Sequence, residues 1–421
     1  MAGGEDSLTV TVTMSVPVSG LDVNTLEQRC YEAAREMFRL GARRMQEAFQ
    51  RRESKRLERR EWRSRVLATR FGLMRLEMLK VRERETGRSR LLGDDLLELA
   101  PRQRMTQFVE RQGVSLRVRG LSYRQSAQVL QESGVDVSAM GLWRRVQARG
   151  KQRCRIERFE QARVFARGHV SQAPAPPYLY LEADEINVGA QRGMADSHRI
   201  KTGVSYTARE RVEGYSKPRY CLVNKRIYGG VEDWEQFGKG WYTLLEQRYG
   251  ISRAKAILYL TDGDAGLVGL KQAHFPEAVH AHDRAHVFRD LAAGAPDDAT
   301  RKRWIGWLCK GEWEQARHAM RQCLRRGSGS SEPLKKVLRV PRKDFYGTRL
   351  FRLLHDPQRT QRLPYATGAV EKNQETTIGR AMKKRGMAWT APGAHHLSKL
   401  VFAFQHKQTW DALWMEPPPL T

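Results

Sequence analysis

The feature that most constrains the fold is a change of hydrophobic period at a proline-rich joint, SQAPAPPYL (171–179). Past it, YLYLEAD, IKTGVSYTA and RYCLVNKRIYGG read as consecutive strands and VEDWEQFGKGWYTLLEQRYG as an amphipathic helix. AILYLTD, AGLVGLKQAHF, AVHAHD and RAHVFRDL then continue as strand, helix, strand and helix. Three strands followed by alternation predict an α/β sheet. After Leu291 the chain turns helical and basic (RKRWIGWLCKGEWEQARHAMRQCLRRG), until PYATGAVEKNQETTIGRAMKKRG restarts a helix. Residues 292–360 therefore read as a helical insertion between two parts of one core, 171–291 and 361–410.

Before the joint the expectation is a mainly helical region. SLTVTVTMSV (7–16) alternates like an exposed strand, and the pattern is helical from Asn24 to about Arg65, where QRRESKRLERREWRSR offers i,i+4 charge pairs. RFGLMRLEMLKVRERETGRSRLLGDD suggests a short hairpin with polar turns, with helices from Leu96 onward. Residues 121–151 read as two helices broken at Ser133 and Gly134, the second opening on Ser138 as N-cap. That is the pattern of a helix-turn-helix at about 121–150, whose second helix would offer Trp143, Arg144, Arg145 and Arg149 to DNA. A helical hairpin that binds nothing has the same pattern. The expected division is 1–70 (strand and long basic helix), 71–170 (helical DNA-binding region), then the core and its insertion.

Charge sets the partner class. Seventy-five Lys and Arg against 47 Asp and Glu leave a formal charge of +28, a positive field that favours nucleic acid over neutral partners. An acidic membrane surface is the bland alternative. No run of 18 apolar residues offers a membrane span, and MAGGEDSLTV lacks the basic and apolar regions of a secretory signal, so a cytoplasmic protein is expected. The five cysteines include no CxxC pair, which signals neither a disulfide framework nor a thiolate zinc site.

Within that basic chain three acids stand out. Asp184 follows the alternating run YLYLEA, and Asp262 closes AILYLT, so both are expected to project from the carboxyl ends of strands, where open α/β sheets keep their sites. Asp264 in the same DGD stretch competes with Asp262, and strand-end position favours Asp262. Glu371 opens a predicted helix that could lean over the same edge. Three hard oxygen donors suit Mg²⁺ or Mn²⁺, and two such ions roughly 4 Å apart can drive in-line phosphoryl displacement. For any single acid, N-capping or a surface salt bridge is the commoner fate.

The element order of the C-terminal half is that of a ribonuclease H-like sheet. YLYLEADE, YLTDGDAG, HDRAH, LSYRQSAQVL and GAVEKNQETTIGRAMKKRGMAWTAPGAHHLSKL together resemble DDE transposases of bacterial insertion sequences, most closely the ISLre group, from about Phe71 to about Phe404. The resemblance implies a ribonuclease H-like catalytic core with a helical insertion before the last acid, and Mg²⁺-dependent cleavage and transfer at element ends. It matches Asp184 to the first acid and Glu371 to the third. Where that family shows a single GDG-like stretch this chain has DGD, so the second acid stays open between Asp262 and Asp264. Similar transposases carry a DxxH element, matched here by Asp283 and His286, in which the histidine would orient the scissile phosphate or shuttle a proton; a helix N-cap and a surface histidine are the bland reading.

Lys383, Lys384 and Arg385 on the helix of Glu371 are placed for DNA backbone contact, and Trp389 could stack on an unpaired base, although packing is the commoner fate of one tryptophan. The expected function is metal-dependent cleavage at insertion-sequence ends followed by attack of the freed 3′ hydroxyl on target DNA. The partner is then double-stranded DNA, and a homo-oligomer, dimer or larger, follows from that role. A structure-selective nuclease of the same fold, or a DNA-binding protein that no longer cuts, are the alternatives.

Overall fold

The computed structural model describes residues 9–15, 22–100, 103–192, 196–216, 219–355, 368–384 and 386–415. They divide into two compact units, 1–146 and 147–421. The division falls inside a helix and not at the proline-rich joint.

In the first unit, α1 (Val23–Arg52) opens on an Asp22 N-cap that accepts from Thr25 N at 2.6 Å. β1 (Leu57–Thr69), β2 (Gly72–Glu83) and β3 (Ser89–Leu91) form an antiparallel sheet in that order. Then follow α2 (Leu92–Leu96), α3 (Gln107–Val118), α4 (Tyr123–Glu132) and α5 (Ala139–Phe165). The helix expected to run to Arg65 stops at Arg52. LERREWRSR is strand because its charges pair as well along a strand as along a helix: Arg63 meets Glu61 at 2.7 Å, Arg60 meets Glu58 at 2.9 Å, and Lys80 reaches Glu61 across from β2 at 3.4 Å. The strand also buries Leu57, Leu67 and Ala68. The short hairpin expected in 70–95 is β2 with β3, paired from Lys80 opposite Leu91 to Arg82 opposite Ser89, and β1 adds a longer one with β2. Residues 9–15 form no strand, and Ser7, Leu8 and Val16 lie on or beside the undescribed stretches.

α4 carries a capping box in which Ser122 accepts from Gln125 N while Gln125 accepts from Ser122 N. Ser133 caps its end and Gly134 takes φ +75°. Ser138 Oγ accepts from Gly141 N at 3.0 Å, as expected of an N-cap, but α5 continues to Phe165 instead of ending near 151.

The second unit is built on a mixed five-stranded sheet. Its elements are β4 (Tyr178–Gly189), β5 (Ser197–Tyr206), β6 (Ala208–Val212), β7 (Arg219–Val223), β8 (Arg226–Gly230), α6 (Trp234–Tyr249), β9 (Ala256–Thr261), α7 (Ala265–His274), β10 (Val279–His282) and α8 (Arg284–Gly294). Then come α9 (Asp298–Lys310), α10 (Trp313–Arg325), α11 (Ser331–Arg339), α12 (Arg342–Phe345), α13 (Gly347–His355), α14 (Ala369–Gln374), α15 (Ala391–Phe404) and α16 (Lys407–Ala412). The sheet order is β10-β9-β4-β5-β8, with β4, β9 and β10 parallel and β5 antiparallel to both its neighbours. RYCLVNKRIYGG is two strands, broken at Asn224 with φ +50°: β7 pairs with β6 in a separate ribbon and only β8 joins the sheet.

Alternation along β4 sends Leu179, Leu181 and Ala183 to one face and Tyr180, Glu182 and Asp184 to the other. The first face packs on α6 and α7 through Phe237, Trp241, Leu245, Leu267 and Leu270. Gly203 of β5 is needed there, because a Cβ would meet the Trp241 ring at 2.4 Å. α6 is held at both ends, by the Asp233 N-cap and by Gly250 in the left-handed conformation at φ +55°. The second face carries Phe351 of α13 against Tyr178 and Tyr180, α14 over β4 and β5, and Phe402 of α15 over Gly229. The helices α9 to α12 close a core of their own around Trp304, Trp313 and Phe345.

Candidate active site

Parallel register aligns three aspartates. β4 pairs with β9 up to Glu182 opposite Leu260, and β9 with β10 up to Thr261 opposite His282. Carried one or two residues further, the same offsets bring Asp184, Asp262 and Asp283 into one row across the strand ends. Asp184 is nonetheless in the middle of its own strand, not at the end as expected, because β4 continues to Gly189 along antiparallel β5 after β9 has stopped at Thr261. α14 begins beside that row and brings Glu371 in its first turn. Glu182, Asp184, Asp262, Asp283, His286 and Glu371 line one cavity of about 20 Å³, room for about one water-sized sphere.

The competing acid, Asp264, is elsewhere. It caps α7, accepting from Gly266 N at 2.8 Å, and its own N–H donates to Asp262 Oδ1 at 3.0 Å. Asp283 combines two situations held apart in the sequence reading, since it caps α8 by accepting from Ala285 N at 2.8 Å and also lines the cavity. His286, in the first turn of α8, lies with Nε2 at 3.1 Å from Glu371 Oε1. Its Nδ1 lies 3.1 Å from an Arg289 amine, which can only donate, so Nδ1 accepts and Nε2 carries the proton offered to Glu371. Ligand atoms of Asp283, His286 and Glu371 all fall within 4.8 Å of one another.

The electrostatics are those of crowded anions. Burial pushes the Asp184 carboxyl up to about 6 against the pull of the Glu185 N–H, and the nearby Asp262 and Glu371 charges add to the rise. Burial likewise raises Asp283. Glu371 is held below its ordinary value by the His286 hydrogen bond, and the same bond draws His286 upward. Glu371 Oε2 is buried with no hydrogen-bond partner. Such an orphaned oxygen beside three further carboxylates fits a divalent cation held by hard oxygen donors.

Glu182 was not singled out from the sequence. Its signal was there, an acid two residues before Asp184 and so on the same face of the strand. It is 2% exposed and accepts from Tyr206 Oη at 2.7 Å and from Val370 N at 3.2 Å. Gly368 has no side chain to cap α14, so Glu182 satisfies one of that helix's free N–H groups from the sheet and sets Glu371 beside Asp184.

The family model described as an uncharacterised protein family (UPF0236) matches residues 18–307 of the 421. The chain belongs to the UPF0236 family. That match contains Asp184, Asp262, Asp283 and His286, and Glu371 lies beyond it. No curated protein matches this UPF0236 chain.

The residues expected to meet DNA have varied surroundings. Arg144 is exposed and Arg145 half-buried on α5, while Arg149 lies 4.6 Å over the Trp414 ring and donates to Gln152 at 2.8 Å. Lys383 is exposed at the end of a π-helical stretch (Glu375–Lys383) that continues α14, and Lys384 pairs with Glu375 at 2.5 Å. Arg385 lies outside the described residues. Trp389 takes the commoner of its two expected fates: it is 8% exposed and packed, with its indole N–H donated to Met382 O at 2.9 Å. All five cysteines are free, and among the described residues no helix is long and apolar enough to cross a membrane.

Proposed function

We propose that this protein is a DNA transposase with a ribonuclease H-like catalytic core, cutting at insertion-sequence ends and joining the freed 3′ hydroxyl to target DNA. The observation that carries the reading is the convergence of Asp184 from within β4, Asp262 and Asp283 from just past the ends of β9 and β10, and Glu371 from α14 on one cavity of a chain with formal charge +28. Two further facts support it. Strand order β10-β9-β4-β5-β8, with a helical segment before α14, is the order that fold requires, and the UPF0236 family is associated with transposase-like insertion-sequence proteins.

Asp184, Asp262 and Glu371 would hold Mg²⁺ or Mn²⁺, with Asp283 at the side. Two bound ions would supply Lewis-acid activation of water or a 3′ hydroxyl and neutralise the leaving oxygen. The protein's own residues do the rest. Glu182 fixes α14 against β4, Arg289 sets the His286 tautomer, and His286 Nε2–H steadies one Glu371 oxygen while leaving the other turned to the cavity. The basic surface draws in double-stranded DNA, and the α4–α5 pair, read as a helix-turn-helix, would present Arg144 and Arg145 to it.

The decisive experiment incubates purified protein with duplexes carrying the element's ends, with Mg²⁺ or Mn²⁺, and follows nicking and joining. Asp184→Asn is expected to lose cleavage by about a thousandfold or more, the effect of removing several kcal/mol of charge stabilisation from the transition state, while DNA affinity is retained. Cleavage without joining would reduce the protein to a nuclease, and wild-type cutting by the Asn variant would remove the metal assignment.

A further inference from the structure

The β6–β7 ribbon interrupts the path from β5 to β8 and contributes nothing to the sheet. Among its described residues, 208–216 and 219–223, none is buried. A two-stranded ribbon with no fully buried residue is of marginal stability in water, and core packing does not account for it. Its chemistry is distinctive. From Ala208 to Arg226 the chain holds six Lys and Arg against two Glu. Arg209 lies 5.2 Å over the Tyr220 ring and Arg219 4.0 Å over Tyr215, and both tyrosines are exposed, at 53% and 47%.

The arginines elsewhere make the contrast. On α1 and β1 several are consumed by neighbouring carboxylates, Arg39 by Glu36, Arg43 by Glu47 and Glu77, Arg60 by Glu58 and Arg63 by Glu61, while Arg35 and Arg59 lie over the Tyr31 and Trp62 rings. Among the described residues no carboxylate pairs with Arg209, Arg211 or Arg219, although Glu210 and Glu213 are adjacent in sequence. The Tyr215 face holds the exposed Arg219 guanidinium, and the Tyr220 face holds that of half-buried Arg209, whose Nε is buried without a hydrogen-bond partner.

We infer that the β6–β7 ribbon is a phosphate-gripping arm that docks on duplex DNA, with Arg209, Arg211 and Arg219 contacting the backbone. A two-stranded ribbon has the cross-section that the major groove admits, and guanidinium forks match phosphate oxygens. This surface is separate from the carboxylate cavity, and the inference deepens the proposed function by naming a second hold on the same partner.

The test is the salt dependence of binding of the full chain to a 40-base-pair duplex, measured by fluorescence anisotropy for wild type, R209Q/R211Q/R219Q and R209K/R211K/R219K. Three lost phosphate contacts should lower the log–log salt slope by about 2 to 3 and weaken binding at least about tenfold near 0.1 M salt. The lysine variant should keep the slope, and circular dichroism should show all three folded. An unchanged slope in the glutamine variant, or equal loss in the lysine variant, overturns the inference. So does a glutamine variant that binds DNA normally but no longer binds vesicles of phosphatidylserine and phosphatidylcholine, since the arm would then serve a membrane. A wild-type protein that binds through the ribbon but never cuts would sink the transposase reading and leave the arm standing.

Discussion

Two clusters of charge are buried in the second unit, and they are built on opposite plans. Around Lys399, which is 2% exposed, Glu157 approaches at 2.8 Å, Tyr228 Oη accepts from the ammonium at 2.8 Å, and Glu232 forms a further ion pair. Arg153 then meets Glu157 at 3.2 Å and Glu160 at 3.4 Å. That cluster joins α5, the β8–α6 turn and α15, and it brings its own cations. The cavity at the strand ends gathers Glu182, Asp184, Asp262, Asp283 and Glu371 around a neutral imidazole. The first network sets two cations, Lys399 and Arg153, among its three glutamates, whereas the second gathers five carboxylates with no Lys or Arg in its lining, the arrangement we propose a cation completes. The difference separates scaffold from site without reference to any family.

The sharpest way to break the comparison is to remove one charge from each. Lys399→Met would leave Glu157 and Glu232 buried without their cation and should destabilise the fold by about 3–5 kcal/mol in urea melts. Asp184→Asn, by contrast, removes a charge the fold resists, and in EDTA it should be as stable as wild type or more so at pH 7. The sign follows from the raised pKa. A carboxyl lifted from 3.8 to about 6 contributes fully while protonated, below 3.8, and that contribution is lost as pH rises through about 6. Metal-free wild type should therefore lose stability between pH 4 and 7 more steeply than the Asn variant. Parallel pH curves for the two proteins would show that Asp184 is not crowded.

Adding the proposed cation should reverse the ranking. At a Mn²⁺ concentration of about a hundred times its dissociation constant, linkage gives about 2.7 kcal/mol of stabilisation. Thermal melts should show that gain for wild type, a much smaller one for Asp184→Asn, and an undiminished one in a variant of the ribbon arginines. Equal gains in wild type and Asp184→Asn would move the ion elsewhere.

How far the sequence carried this picture depends on whether local signals agreed. From β4 to α8 strand period, caps and turns all point the same way, as where Asp233 opens α6 and Gly250 closes it. The failures are places where one pattern serves two structures. Glu61 has Arg65 four residues on and Arg63 two residues on, so helix and strand spacing each offer it a partner, and only the partner strand β2 decides. Asn224 adopts a left-handed backbone that composition does not announce, and so β7 was read as one strand with β8. At the site, Asp184 and Glu371 were visible as acids beside apolar runs, but Glu182 was hidden by its role, since a helix cap supplied from another element leaves no spacing to read. Trp389 was left open between packing and stacking for a related reason, because its fate depends on Met382 O and on the bridge between Trp389 and Ala190.

The smallest effect concerns the two aspartates three-dimensional position separates most cleanly. Asp264 caps α7, and replacing a capping aspartate by alanine costs about 1 kcal/mol. Asp264→Ala should therefore be slightly less stable than wild type and retain Mn²⁺ binding and most of its cleavage. Asp262 borders the cavity and accepts only the Asp264 N–H in the turn, so Asp262→Ala should leave stability nearly unchanged in EDTA while abolishing the Mn²⁺-dependent gain. The pair forms a reciprocal control, each variant failing where the other succeeds. If Asp264→Ala lost the metal effect and Asp262→Ala kept it, the row of aspartates drawn from the strand register would be the wrong one, and with it the contrast between a cluster that supplies its own cation and one that waits for it.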